Sequence, residues 1–199
     1  DIGVAQGNSL SPLLGNILLA AFDNAMNEGD CRCIRYIDDF VILAPTRKAA
    51  DARLRKARRL LEEFDMELAP EKSSKQAHEV SKGFEFLGIE ISAGFVRPAK
   101  RARTKFISSI DAQLDASKNA ITGLRHGHKL DPKLALIATL KRIDGMMDGW
   151  GKHYWFCNDR HLFQTVDEKV RLAIGAYLGA YADTRSRLPE GKAHLPLGL

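Results

Sequence analysis

Two adjacent carboxylates, Asp38 and Asp39, lie between two apolar runs at 31–36 and 40–44. The runs are rich in Ile, Val and aromatics, which predicts two strands with the aspartates at a hairpin tip. Neighbouring carboxylates repel, so something must compensate them. Water at a turn is one answer, because Asp favours turns. A hard divalent cation is the other: Mg²⁺ prefers oxygen ligands and takes one or two carboxylates together with substrate phosphates. Upstream, the stretch Gly3-Val4-Ala5-Gln6-Gly7-Asn8-Ser9 leads into an apolar-periodic segment. Gly7 lets backbone come close to a ligand, Gln6 offers an amide, and a helix N-terminus behind them favours negative charge.

The elements that must position these groups follow from periodicity. Residues 9–28 predict a helix with Pro12 in its first turn and Leu13, Leu14, Ile17, Leu18, Ala21, Phe22 and Ala25 on a broad apolar face. Residues 46–65 predict a basic amphipathic helix, with Leu54, Ala57, Leu61 and Phe64 inward. A strand spans 84–92, Ala93-Gly94 turns it, and Phe95-Val96 returns. Helical periodicity then takes over. One helix follows Thr104, a second opens at Asp131-Pro132, and a third is capped by Asp159. The tail from Arg185, with Pro189, Gly191, Pro196 and Gly198, reads as loose. The fold class expected is α+β, with an α+β unit over 1–98, an all-helical unit over 99–184 and a tail over 185–199.

Composition narrows the function. The chain has 199 residues, 45% hydrophobic and 28% charged, which excludes a disordered chain. No run approaches the length of a membrane span. Three cysteines, Cys31, Cys33 and Cys157, lack zinc-site spacing and read as reduced thiols of a cytoplasmic protein. The net charge of +5 conceals two clusters. Residues 47–59 carry +6, residues 97–105 carry +5, and the remainder nets −6. Two concentrated basic segments suit a phosphate-tracking surface, and equally two solvated helix faces. His126 and His128 lack a third ligand and read as an exposed loop. Trp150, Tyr154 and Trp155 read as packing between helices.

Taken in order, the motifs resemble a reverse transcriptase. Gln6-Gly7 with Ser11-Pro12-Leu13-Leu14 and Asn16-Ile17 is similar to the QG…SPLL.NI block of the group II intron-like bacterial class. Tyr36-Ile37-Asp38-Asp39 is similar to the family's Y-x-D-D box. Glu71-Lys72-Ser73 resembles the following lysine motif, and Phe86-Leu87-Gly88 the F-L-G primer grip. Gly149-Trp150 with Tyr154 resembles the GW…Y pattern of a maturase-type thumb. Ala5, Asn8 and Ile37 depart from the commoner residues of the intron enzymes and suit a divergent lineage, such as a CRISPR-associated or phage-defence enzyme, as well as an intron maturase.

The resemblance implies part of a polymerase palm, an antiparallel sheet with helices, followed by an all-α thumb bundle. It implies an RNA-directed DNA polymerase that extends a primer by two-metal nucleotidyl transfer, with two Mg²⁺ ions, or Mn²⁺ in their place. Asp38 and Asp39 would hold metal. Gln6, Gly7 and Tyr36 would meet the nucleotide and template. Lys72 would lie near the triphosphate as a catalytic group. Phe86, Leu87 and Gly88 would grip the primer end, and Arg97, Lys100, Arg101, Arg103 and Lys105 the nucleic-acid backbone. The partners implied are an RNA template, a DNA or RNA primer, deoxynucleoside triphosphates, an upstream fingers and palm segment, and intron RNA or a Cas1 protein. The alternative is a maturase-like RNA-binding splicing cofactor that needs no polymerisation. The family's first catalytic aspartate precedes the Gln-Gly block, and neither Asp1 nor Asp23 can replace it. Purified residues 1–199 with Mg²⁺ are therefore expected to give no robust primer extension, and efficient extension by this chain would show that expectation wrong.

Overall fold

A computed structural model describes residues 10–71, 73, 74, 76–189 and 191–198. The fold is α+β, as the patterning predicts, and divides into two compact units at Leu87/Gly88.

The first unit opens with α1 (Ser11–Leu18) and α2 (Ala20–Met26). The single helix predicted over 9–28 is broken at Leu19, whose φ of −91° and ψ of 8° leave the helical region. The break divides the apolar face. Leu19, Phe22 and Met26 point into the core, whereas Leu13, Leu14, Ile17 and Leu18 remain exposed. Strands β1 (Arg32–Tyr36) and β2 (Asp39–Leu43) form an antiparallel hairpin with Tyr36 opposite Asp39 and Cys33 opposite Ile42. Strand alternation sends Cys33, Phe40 and Ile42 toward the core that α2 shares with α3 (Arg47–Glu62). Thr46 caps α3 by accepting from the Ala49 N–H at 3.1 Å. Strand β3 (Phe84–Phe86) ends the unit.

Two contacts fix the hairpin on α2. Phe22 meets Phe40 edge-on at 5.5 Å between centroids. The Asn27 side chain accepts from the Cys33 N–H at 3.0 Å and donates to the Cys33 carbonyl at 3.1 Å. It thereby satisfies backbone groups of β1 that would otherwise lie bare on a strand edge.

The second unit begins with the hairpin β4 (Ile89–Ser92) and β5 (Phe95–Pro98). The strand predicted over 84–92 is interrupted because Leu87 and Gly88 both take positive φ, 53° and 75°. Three helices follow: α4 (Lys100–Gly123), α5 (Leu136–His153) and α6 (Arg160–Ser186). Helix α4 starts ahead of Thr104. Asp131 caps a 3-10 turn at Pro132–Leu134 instead of α5 itself, whereas Asp159 caps α6 as predicted, accepting from the Leu162 N–H at 3.0 Å. Phe106, Ile110, Leu114 and Ile121 of α4 meet Leu162, Val166, Val170, Tyr177 and Tyr181 of α6, with Ile143 of α5 completing the core. Ser117, buried within it, donates to the Leu134 carbonyl at 2.6 Å and accepts from the Tyr177 hydroxyl at 2.8 Å. The tail is not loose. Leu188 and Pro196 are buried, and Leu197 packs on the helical core.

Phe22 is only 1% exposed and carries the hairpin's main apolar contact. Phe22→Ala is expected to destabilise the first unit by about 3–5 kcal/mol, read as a lowered urea midpoint at unchanged m-value.

Candidate nucleic-acid and metal site

The β1–β2 connection is a two-residue turn, Ile37-Asp38, so Asp39 already belongs to β2. Ile37 has a φ of 59°. Of the two turn residues only the first is left-handed, the pattern of a type II′ turn, which ordinarily places Gly there. A β-branched residue in that region costs about 1–3 kcal/mol and persists only where its surroundings over-determine it. The turn presents two exposed carboxylates, Asp38 and Asp39, and no basic side chain among the described residues lies within ion-pairing distance of either. Tyr36, opposite Asp39, is 59% exposed.

Behind the turn sits Arg35, whose side chain is only 7% exposed. Its Nε and Nη2 form a fork on the Asp23 carboxylate at 2.7 and 2.5 Å. Its Nη1 donates to the Asn16 side-chain oxygen at 3.1 Å and to the Ile37 carbonyl at 2.7 Å. One guanidinium thus joins α1, α2 and the turn. The Asp23 carboxylate, the nearest hydrogen-bond partner, holds the Arg35 pKa above its usual value against the opposing effect of burial. The Cys33 thiol, on the same strand face, is pushed up to about 11 by burial and by the Asp23 charge. Cys33 therefore stays a protonated, inert thiol at neutral pH.

The donor set fits a divalent ion. Asp38 and Asp39 are hard oxygen ligands, without a cationic partner among the described residues, on a connection held by its own backbone bonds and by Arg35. Two carboxylates match Mg²⁺, which retains waters and shares substrate phosphates. Among the described residues no group of three or more His, Cys, Asp or Glu side chains gathers as an all-protein metal cage. Gln6, Gly7 and Lys72 lie outside the described residues. Phe86 is half-buried and Leu87 is 40% exposed at the end of the first unit, whereas Gly88 opens the second.

The two basic segments have different uses. On α3, Arg53 donates to the carbonyls of Ala25 and Glu28 at 3.1 and 2.6 Å, and Lys56 to Ala25 and to the Glu28 carboxylate, both at 2.8 Å. These cations satisfy the Ala25 carbonyl in the last turn of α2 and the Glu28 carbonyl just beyond it. Lys48, Arg55 and Arg59 stay exposed. In the second unit, Arg97 is committed between Glu90 and Asp159, with 3.2 Å to the latter. Among the described residues, Lys100, Arg101, Arg103 and Lys105 make no ion pair.

Helix α4 thus begins with three cations, no acid and no side-chain cap. That is the reverse of what a helix N-terminus favours, by about 0.3–1 kcal/mol per charge. Lys100 and Arg103 also line a cleft of about 450 Å³ with Lys169 and Thr165 of α6; Arg97 and Asp159, already paired with each other, line it too. The buried Arg103 Nε has no hydrogen-bond partner. An anion in this cleft would relieve both the dipole conflict and the unmade bond.

Of the aromatics, Trp150 stacks on Phe106 at 4.6 Å and packs beside Phe163 and Tyr154, as expected. Trp155 does not: it is 81% exposed. His126 and His128 lie 6.4 Å apart between ring centroids with no further ligand described near them.

The roles of Arg35, Asn16 and Asn27 escaped the sequence reading. One signal was available: Arg35 falls on the same alternation as Cys33, Phe40 and Ile42, so a charge occupies the core-facing side and requires a partner. Nothing in the sequence named that partner.

With this geometry in hand, a match to known families can be placed on it. The family model described as reverse transcriptase (RNA-dependent DNA polymerase) matches residues 2–91, which takes in the Asp38–Asp39 hairpin and Arg35 and stops before α4. No curated protein matches the chain. No described helix is long and apolar enough to cross a membrane.

The Glu90–Arg97–Asp159 cluster predicts an acid response. Arg97 holds the Glu90 carboxyl below its ordinary value. The Leu162 N–H, followed by Arg97, does the same for Asp159. Carboxyls lowered on folding stabilise above their unfolded pKa and lose that contribution as pH falls through the folded one. Unfolding of the second unit, followed by its two tryptophans, is expected to become easier between about pH 5 and 3. The double variant E90Q/D159N should flatten that profile; an equally steep profile would remove the cluster from the explanation.

Proposed function

We propose that the chain is the C-terminal part of an RNA-directed DNA polymerase, with residues 1–98 contributing part of a palm and residues 99–184 a thumb. The observation that carries this reading is the pair of exposed carboxylates, unpaired among the described residues, at the tip of a backbone-defined turn inside the segment that matches the reverse-transcriptase model. Two-metal transfer needs such a tip. When bound, two Mg²⁺ ions, or Mn²⁺, supply activation of the primer 3′-hydroxyl and stabilise the departing pyrophosphate.

The carboxylate oxygens of Asp38 and Asp39 would hold the metal, with Asp38 the firmer ligand. Gln6, Gly7 and Tyr36 orient the nucleotide and the templating base. Lys72 serves the triphosphate, and Phe86, Leu87 and Gly88 hold the primer end. Lys100, Arg101, Arg103 and Lys105 take backbone phosphates of the template–primer duplex. Arg97 supports this surface indirectly, because its guanidinium is already bonded to Glu90 and Asp159. The substrates are an RNA template, a DNA or RNA primer and deoxynucleoside triphosphates. The group II intron-like block and its departures at Ala5, Asn8 and Ile37 favour an intron-derived, CRISPR-associated or phage-defence setting.

A maturase-like RNA-binding role is the second reading. The cationic start of α4 favours it, because phosphate binding there needs no metal chemistry. Two measurements on the chain separate the readings. Mn²⁺ binding that D38N weakens at least tenfold supports the polymerase palm; binding unaffected by D38N removes these carboxylates from metal chemistry. Binding of an RNA–DNA primer–template should weaken linearly in log salt, and R101Q/R103Q should reduce that slope by about 0.7–0.9 per lost phosphate contact. An unchanged slope would return those arginines to a solvated face.

A further inference from the structure

We infer that Arg35 is a positioning residue for the metal-binding turn: it sets the backbone geometry through which Asp38 and Asp39 present their oxygens. The inference rests on the metal reading of those carboxylates but is argued from different atoms. Ile37 occupies a left-handed conformation that a β-branched residue resists, and it is the residue immediately before Asp38. Its carbonyl accepts a hydrogen bond from Arg35 Nη1 at 2.7 Å. The peptide following that carbonyl leads directly to Asp38, so fixing the carbonyl fixes the plane from which the Asp38 side chain departs.

Arg35 can do this only because it cannot move. Its other two nitrogens are held in a planar fork by Asp23 on α2, and Asn16 on α1 shares Nη1. A guanidinium has the required number of donors in a rigid plane, and a lysine ammonium does not. The chain therefore spans Asp23, Arg35, Ile37 and Asp38 without a gap. The buried side chain of Arg35 excludes the simpler account of a surface ion pair of little consequence. It also gives Asp23, which cannot serve as the third catalytic carboxylate, a different use: it anchors the arginine that aims the other two.

The test separates positioning from mere stabilisation. In the wild-type chain, NMR should show the strong intraresidue Hα–amide cross-peak at Ile37 that a positive φ produces, and Mn²⁺ should broaden Asp38 and Asp39 selectively. In R35K, which keeps the charge but loses the planar fork of donors, α2 and α3 amide signals should persist. The Ile37 cross-peak should fall to that of an averaged turn, and Mn²⁺ affinity should drop about tenfold. D23N, which leaves Arg35 in place but removes the charge that orients it, should move both readouts in the same direction by less. A folded R35K variant that keeps the Ile37 cross-peak and binds Mn²⁺ within twofold of wild type would overturn the proposal. Should R35K unfold, D23N carries the same decision on the same two readouts. Wild-type protein that shows the cross-peak but no selective broadening would defeat the metal reading alone, and the dependence of the cross-peak on Arg35 would still decide the clamp.

Discussion

The constraint on which the first unit turns is the burial of one guanidinium. Arg35 lies on the core-facing side of β1, where an unpaired charge would be untenable. Its burial is tolerable only because Asp23 and Asn16 are brought to it by two helices and because a strained turn supplies a carbonyl. Each of those partners is a different structural element. The break at Leu19, the α2 orientation and the tight hairpin are thus tied together by the same donors. An apolar residue at this position would leave the turn without its brace, and a shorter cation would reach only part of the set.

The second unit manages charge differently. Its helices share a conventional apolar core, and its ionic cluster lies at the start of α6, where Asp159 caps the helix and faces Arg97. With Arg97 so engaged between Glu90 and Asp159, the cations at the start of α4 face their own helix dipole with no ion pair among the described residues. Stability is given up locally at a place suited to bind an anion. Such an unresolved conflict within an otherwise well-satisfied fold is a mark of a surface shaped for a partner.

The two surfaces differ in sign. Among the described residues, the turn presents carboxylates with no cation paired to them, whereas the start of α4 is predominantly cationic, with Asp159 the carboxylate in its cleft. A phosphodiester substrate handled with divalent ions would need both kinds of surface, since carboxylates would hold the ions that meet the reacting phosphates and fixed cations would meet the backbone.

Much of this was legible in the chain itself. Alternation over 31–44 defined the hairpin and put Asp38 and Asp39 near its tip, and 3.6-residue periodicity located the helices of the second unit. Asp159 was readable as a cap because its partner, the Leu162 N–H, is three residues away. What the sequence could not convey was pairing across distance. The Asp23–Arg35 fork joins residues twelve apart through a turn of the chain, and Arg97 meets Asp159 sixty-two residues on. Local patterning also overestimated α1, where apolar spacing promised a buried face and the break at Leu19 left four large side chains exposed. It undervalued the tail, whose Pro and Gly content hid the burial of Leu188 and Pro196. Sequence determined which residues have the chemistry, because that depends on side-chain type and short-range periodicity. Tertiary structure alone decided which charges are already spent, as Arg53, Lys56 and Arg97 are, because an ion pair depends on distances that only the folded chain sets.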